Sequence, residues 1–191
     1  LAMVGVLLHE GGPIAAGIRS FDLSGNRIGV PTVAAKAGAV TTAKAARGGW
    51  AEVGGRWGEI TEKLGSDYVH LRWLDDGSTS GDTKVSSLGS VVASKDDLSI
   101  EYGHLETLLG AIGRLDGLAS LGLSAIGMDG CGAALLSEAL STSGQGGVVE
   151  LDVSKNPMMG DDGAAALGRL LSASKIETLV MGPKETKVLV H

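Results

Sequence analysis

The sequence predicts an α/β solenoid, a parallel sheet with helices along its outer side, interrupted by a small all-β insert. Two observations carry this expectation. Four stretches share one skeleton, an apolar residue followed by others three and five positions later and usually a polar corner. They are Ile18, Phe21, Leu23 and Asn26; Leu118, Leu121, Leu123 and Ile126; Val148, Leu151, Val153 and Asn156; and Ile176, Leu179 and Met181. The units starting at Leu118, Val148 and Ile176 are 30 and 28 residues apart. Self-similarity at that period marks units that bury their apolar faces against their neighbours. The second observation is a composition shift. Trp50, Trp57, Tyr68 and Trp73 crowd into one short stretch of a chain with only 3 Trp, 2 Tyr and 1 Phe, which marks a separate folding unit.

Residues 1–8 form an apolar run that reads as the helix of a preceding unit whose strand is missing. Such an end exposes an apolar face, so it implies either a fragment or a covered terminus. The first strand is expected near 19–24, and the Ala-rich stretch 34–49 reads as a helix leading into the insert. Within the insert, 52–60 and 68–74 alternate with period two and are followed by an Asp-Asp-Gly-Ser turn and a third strand near 82–88. Leu88, Val91, Ala93 and Asp96 fit the repeat skeleton again, which places another repeat strand near 89–94. Leu105, Leu108, Leu109, Ile112 and Leu115 then supply a helical stripe.

Further strands are expected near 119–124, 149–154 and 177–181, all parallel and in sequence order. Leu121, Leu123, Leu151 and Val153 point inward, because side chains alternate along a strand. Ala133, Leu136 and Leu140 recur at helical spacing, as do Ala166, Leu170 and Ala173. Asp161 and Asp162 suit a helix N-terminus. Asn26 and Asn156 suit the turn leaving a strand, where an amide satisfies unpaired backbone groups. Ile126 stands in the corresponding place of the third unit, so that corner must be weaker or differently built. Residues 186–190 alternate or run apolar after a Gly182–Pro183 turn, and are expected to fold back antiparallel on 176–181 and cover an edge strand.

The segments Leu118-Ala-Ser-Leu-Gly-Leu-Ser with Gly130-Cys-Gly-Ala-Ala-Leu-Leu, and Val148-Val-Glu-Leu-Asp-Val-Ser-Lys-Asn with Asp162-Gly-Ala-Ala-Ala-Leu, resemble leucine-rich repeats of the ribonuclease-inhibitor-like subclass. The resemblance implies a strand and a helix per repeat, with strands on the concave side. The pattern Gly55-Arg-Trp-Gly-Glu-Ile, Val69-His-Leu-Arg-Trp-Leu-Asp-Asp-Gly and Lys84-Val-Ser-Ser-Leu is similar to small SH3-like or Tudor-like barrels, which implies a peptide-binding or structural insert. The division is then 1–46, an N-terminal repeat segment; 47–87, the barrel; and 88–191, C-terminal repeats ending in a hairpin.

Composition excludes several functions. A formal net charge of −6, with no basic concentration in the insert, argues against nucleic-acid binding. No apolar run is long enough to span a membrane, so no membrane insertion is expected. The lone Cys131 permits no internal disulfide and fits a reducing, intracellular compartment. It falls at a helix start where small buried residues are expected. His9, His70, His104 and His191 show no metal-ligand spacing, and no nucleophile motif stands out, so neither metal, cofactor nor catalytic residues are expected.

Outward-pointing strand residues define the candidate surface: Ser20, Asp22 and Ser24; Ser90, Val92 and Ser94; Ser120, Gly122 and Ser124; Glu150, Asp152 and Ser154; Thr178 and Val180. On the barrel, Tyr68, His70 and Arg72 share an outer face. Trp57, Tyr68 and Trp73 allow two readings: an aromatic cage for a cationic side chain, or the core of a unit too small to bury much else. The expected function is a non-enzymatic protein-interaction or scaffold module. A structural subunit with its ends packed on neighbouring chains is the alternative, and a reader of modified lysines or peptides through the barrel is a third reading.

Overall fold

The computed structural model describes residues 17–40, 45–113, 115, 117–142, 147–182 and 186–189. The expected helix at 1–8 and any covering of that end lie outside these residues. In chain order the described strands are β1 (Ser20–Asp22), β2 (Thr32–Ala35), β3 (Trp50–Val53), β4 (Arg56–Leu64), β5 (Tyr68–Trp73), β6 (Thr83–Lys84), β7 (Val91–Val92), β8 (Leu98–Glu101), β9 (Ser120–Gly122), β10 (Glu150–Asp152), β11 (Thr178–Met181) and β12 (Thr186–Leu189). The described helices are α1 (Gly103–Ile112), α2 (Gly130–Thr142) and α3 (Gly160–Ala173). The chain divides into two compact units, Leu1–Val30 with Tyr102–His191, and Pro31–Glu101.

In the first unit, β1, β9, β10 and β11 lie side by side and parallel, and β12 closes the sheet antiparallel to β11. Phe21, Leu121, Leu151 and Leu179 occupy one register row, as the shared spacing of apolar residues requires. Their side chains turn to one core with Leu105, Leu108, Leu109 and Ile112 of α1, Ala133 and Leu136 of α2, and Ala166, Leu167 and Leu170 of α3. The Ser137 hydroxyl donates to the Ala166 carbonyl at 3.0 Å, a polar link between α2 and α3. Cys131, expected among small buried residues, is instead exposed at the start of α2.

Asn156 joins the turns that follow β9 and β10. Its Oδ1 accepts from the amides of Ile126 at 3.1 Å and Met128 at 3.0 Å. Its Nδ2 donates to the carbonyls of Leu123, Val153 and Ser154 at 3.0, 3.0 and 3.1 Å. A buried amide surrounded by buried backbone groups leaves no donor or acceptor unmet. This is how the corner with Ile126 is built: Ile126 fills the core, and the neighbouring turn's asparagine supplies the missing polar group. Ala125 and Lys155 take the left-handed backbone conformation in these turns, the position Gly25 holds after β1.

The predicted leucine-rich-repeat solenoid with a barrel insert is not the architecture. The chain is a mixed α/β fold with three helices among the described residues and several sheets, one of them five-stranded and antiparallel. The expected repeat strand at 89–94 is the two-residue β7, which pairs antiparallel with β3. Val92, expected to point outward, is fully buried, and Leu88 and Val91 pack into the Pro31–Glu101 unit. Apolar spacing alone does not distinguish a strand of a parallel sheet from one of an antiparallel sheet, since both alternate with period two.

The insert also differs from its expected form. Its sheet runs β6-β5-β4-β3-β7, with the end strands β6 and β7 not paired to each other, so it is open rather than a closed barrel. A separate ribbon of β2 and β8 accompanies it, with Thr32 opposite Glu101 and Ala35 opposite Leu98. The compact unit that holds this sheet and the β2–β8 ribbon spans Pro31–Glu101. Ala34 and Ala35, expected at the start of a helix leading into the insert, belong to the extended β2 instead, where Val33 and Ala35 pack against Trp57, Val92 and Leu98. The other sheet face buries Ala51, Ile60, Val69 and Leu71, with Trp73 against them.

Two outcomes test this account. Asn156→Ala orphans the Ile126 and Met128 amides and the Leu123 carbonyl, and should cost about 3–5 kcal/mol in urea unfolding, from 1–3 kcal/mol per buried unmet group with partial relaxation. A fragment comprising residues 31–101 should give a dispersed amide spectrum and a cooperative melt. A fragment comprising 47–87, which lacks β2, β7 and β8, should not.

Candidate functional site

The outer face of β1, β9, β10 and β11 forms a shallow cleft of about 330 Å³. Parallel pairing in register builds it. Ser20, Ser120, Glu150 and Thr178 form one row, and Asp22, Gly122, Asp152 and Val180 the next. Of the predicted surface residues, Ser20, Asp22, Ser120, Glu150, Asp152 and Thr178 all line this cleft, with Ser24 at its margin. Ser124 and Ser154 do not. Both are buried, and their hydroxyls meet at 3.0 Å. Their strands end at Gly122 and Asp152, so the alternation that placed them outward stops before it reaches them.

Each aspartate is steered by the serine two residues on. The Ser24 amide donates to Asp22 Oδ1 at 2.9 Å, and the Ser154 amide to Asp152 Oδ1 at 2.9 Å. The Ser24 hydroxyl and amide hold the Asp22 carboxyl below the usual carboxylate range. Gly122 matters by what it lacks: a Cβ there would run into the Asp22 carboxylate and lie 3.3 Å from the Ser24 hydroxyl. The Asp22 carboxylate therefore leans over the middle of the cleft. The arrangement offers hydroxyls and carboxylates, with no histidine, cysteine or lysine among its lining residues. It can accept hydrogen bonds and positive charge.

A second recess, of about 550 Å³, is lined by Pro157, Met159 and Met181 and was not read from the sequence. Its wall ends at Gly182, next in the chain to residues 183–185, which lie outside the described residues.

In the Pro31–Glu101 unit the aromatic residues do not form a cage. Trp57, placed among the surface candidates, is only 8% exposed and packs with Trp50, Val92 and Leu98. Trp73 lies on the opposite face of the sheet, beside Val69 and Leu71, with the Arg56 guanidinium 4.5 Å from its ring centre. Tyr68 is exposed but stands apart from both clusters. The same guanidinium holds buried Asp75 through Nε at 3.0 Å and Nη2 at 2.5 Å, and reaches Asp76 at 2.9 Å. Arg56 thus clamps the turn after β5, a role the sequence did not reveal because its partners are 19 and 20 residues away.

His70 and Arg72 share the outer face of β5, as expected, but both are matched within the sheet. Arg72 pairs with Glu59 at 2.5 Å. His70 Nε2 lies 2.9 Å from Asp82 Oδ1, and Nδ1 lies 3.3 Å from Glu62 Oε2. An irregularity in the β4–β5 register between Ile60 and Glu62 sets Glu62 opposite His70. The hydrogen bond to Asp82, aided by the charge of Glu62, raises the His70 pKa above its ordinary 6.5.

The chain matches no protein-family model, no curated protein and no solved structure, and so no comparison identifies it as a leucine-rich repeat protein. Among the described residues no group of three or more His, Cys, Asp or Glu is placed to hold a metal ion, and no helix is long and apolar enough to cross a membrane.

The His70 cluster makes a pH prediction. A raised folded-state pKa contributes stability fully present below the ordinary value of 6.5 and lost as pH rises through the raised one. Following the His70 ring protons by NMR should give a midpoint above 6.5. Asp82→Asn should lower it more than Glu62→Gln, and an unchanged midpoint in Asp82→Asn would contradict the assignment.

Proposed function

We propose that this chain is a non-enzymatic protein-interaction module whose working surface is the outer face of β1, β9, β10 and β11. One observation supports this most: small and acidic side chains from four adjacent strands line a single open cleft. Small residues such as Ser20 and Ser120 let a partner's backbone approach closely. No histidine, cysteine or lysine lines the cleft, and histidine is the most frequent general acid or base.

A photo-crosslinking amino acid placed at Ser120 tests the reading against one placed at exposed Ser66 in the Pro31–Glu101 unit. The expected result is a discrete protein adduct from position 120 that is absent from position 66. It should be lost when Thr178→Trp fills the cleft while the melting behaviour of the chain is kept. Equal labelling from both positions would count against the proposal.

A further inference from the structure

We infer that the partner seated on this face is a polypeptide segment bearing spaced lysine or arginine side chains. The inference rests on the interaction reading and adds the chemistry of the occupant. Asp22, Gly122 and Asp152 share one register row across three adjacent strands. Neighbouring strands stand about 4.8 Å apart, so the backbones of the two aspartates flank Gly122 at a separation of roughly 10 Å. Glu150 lies two residues from Asp152 on the same strand, hence on the same face and about 7 Å away.

No ion pair reaches Asp22, Glu150 or Asp152 among the described residues, whereas Arg56, His70 and Arg72 of the Pro31–Glu101 unit each have an acidic partner. The serine amides that grip Asp22 and Asp152 orient these carboxylates without neutralising them. Like charges gathered on one face repel each other, and a complementary partner relieves that repulsion.

The spacing selects among cationic partners. A divalent ion needs oxygens converging at about 2.0–2.6 Å, and these three carboxylates form no such cluster. Positive charge must therefore arrive at several separate points, as the side chains of one polypeptide deliver it. The small side chains of Ser20 and Ser120 leave room for that backbone, and the cleft volume of about 330 Å³ accommodates cationic heads beside the carboxylates. A nucleic acid would bring the wrong sign. The net charge of −6 speaks against a second copy of this chain and for long-range attraction of a basic one.

The test uses the full chain, isotope-labelled, with amide resonances of Ser120, Gly122 and Asp152 as reporters. Two short synthetic peptides are titrated at physiological salt, one carrying spaced arginines and one with glutamine in their place. The arginine peptide should shift these resonances, and the glutamine peptide should bind about two- to thirtyfold more weakly, the effect of two exposed charge pairs. The double variant Asp22→Asn with Asp152→Asn keeps the acceptors for the serine amides, so it should fold as the parent does. It should weaken the arginine peptide by a similar factor, and higher salt should do the same.

Equal binding of both peptides on this face would overturn the cationic assignment and leave the interaction reading standing. If neither peptide moves the reporters, both readings fall. Shifts at Asp22 and Asp152 on adding calcium or magnesium chloride alone, with no peptide response, would make the face an ion site and also overturn both.

Discussion

The Leu1–Val30 and Tyr102–His191 unit depends on one buried amide. Asn156 satisfies backbone groups of its own turn and of the turn after β9, so two chain segments about 30 residues apart are locked at one height. Register follows from this lock. If the two turns slid by one residue, the row of Phe21, Leu121, Leu151 and Leu179 would turn outward and the acidic row would turn into the core. The cleft on the outer face is therefore a product of polar bonding inside the turns. Hydrophobic burial supplies the larger energy, but it is non-directional and would tolerate more than one arrangement.

The two units handle charge in contrasting ways. In Pro31–Glu101 three basic side chains of the sheet are matched, Arg72 with Glu59 and His70 with Glu62 and Asp82, while Arg56 covers the Trp73 ring and grips Asp75. In the parallel sheet the acids of β1 and β10 project beside serines and a glycine. Exposed charge pairs contribute little to stability, so the matched set matters mainly for the register of β4 against β5. The unmatched set does nothing evident for folding, which is why it draws attention as a contact surface.

Much of the first unit was legible in the sequence, because 119–124, 149–154 and 177–181 carry the same apolar spacing and do pair in parallel. The terminal reversal of β12 onto β11 was legible from the turn at Gly182. Most of the outer-face residues followed from alternation, and it failed at Ser124 and Ser154, where the chain leaves the strand. The misreading at 89–94 has the same origin: Leu88, Val91 and Ala93 satisfy the skeleton while belonging to an antiparallel sheet. The pairing of β2 with β8 was illegible because it joins residues more than 60 positions apart through Val33 and Ile100, which carry no distinctive turn chemistry. Trp57 shows the limit of composition, since a cluster of aromatic residues does not reveal which ring faces inward.

That same β2–β8 ribbon has a consequence for the order in which the chain assembles. Ser20 pairs with Ser120, a contact whose loop closure is entropically costly when everything between is slack. Once Thr32 and Glu101 are partners, the intervening segment is bypassed and the effective loop shrinks about threefold. Loop entropy grows as the logarithm of length, so the clip lowers the cost of docking β1 by about 1 kcal/mol. The Pro31–Glu101 unit thereby acts as a folding aid to strands it does not belong to. A nascent chain that formed it first would meet a shorter search for the partner of β1.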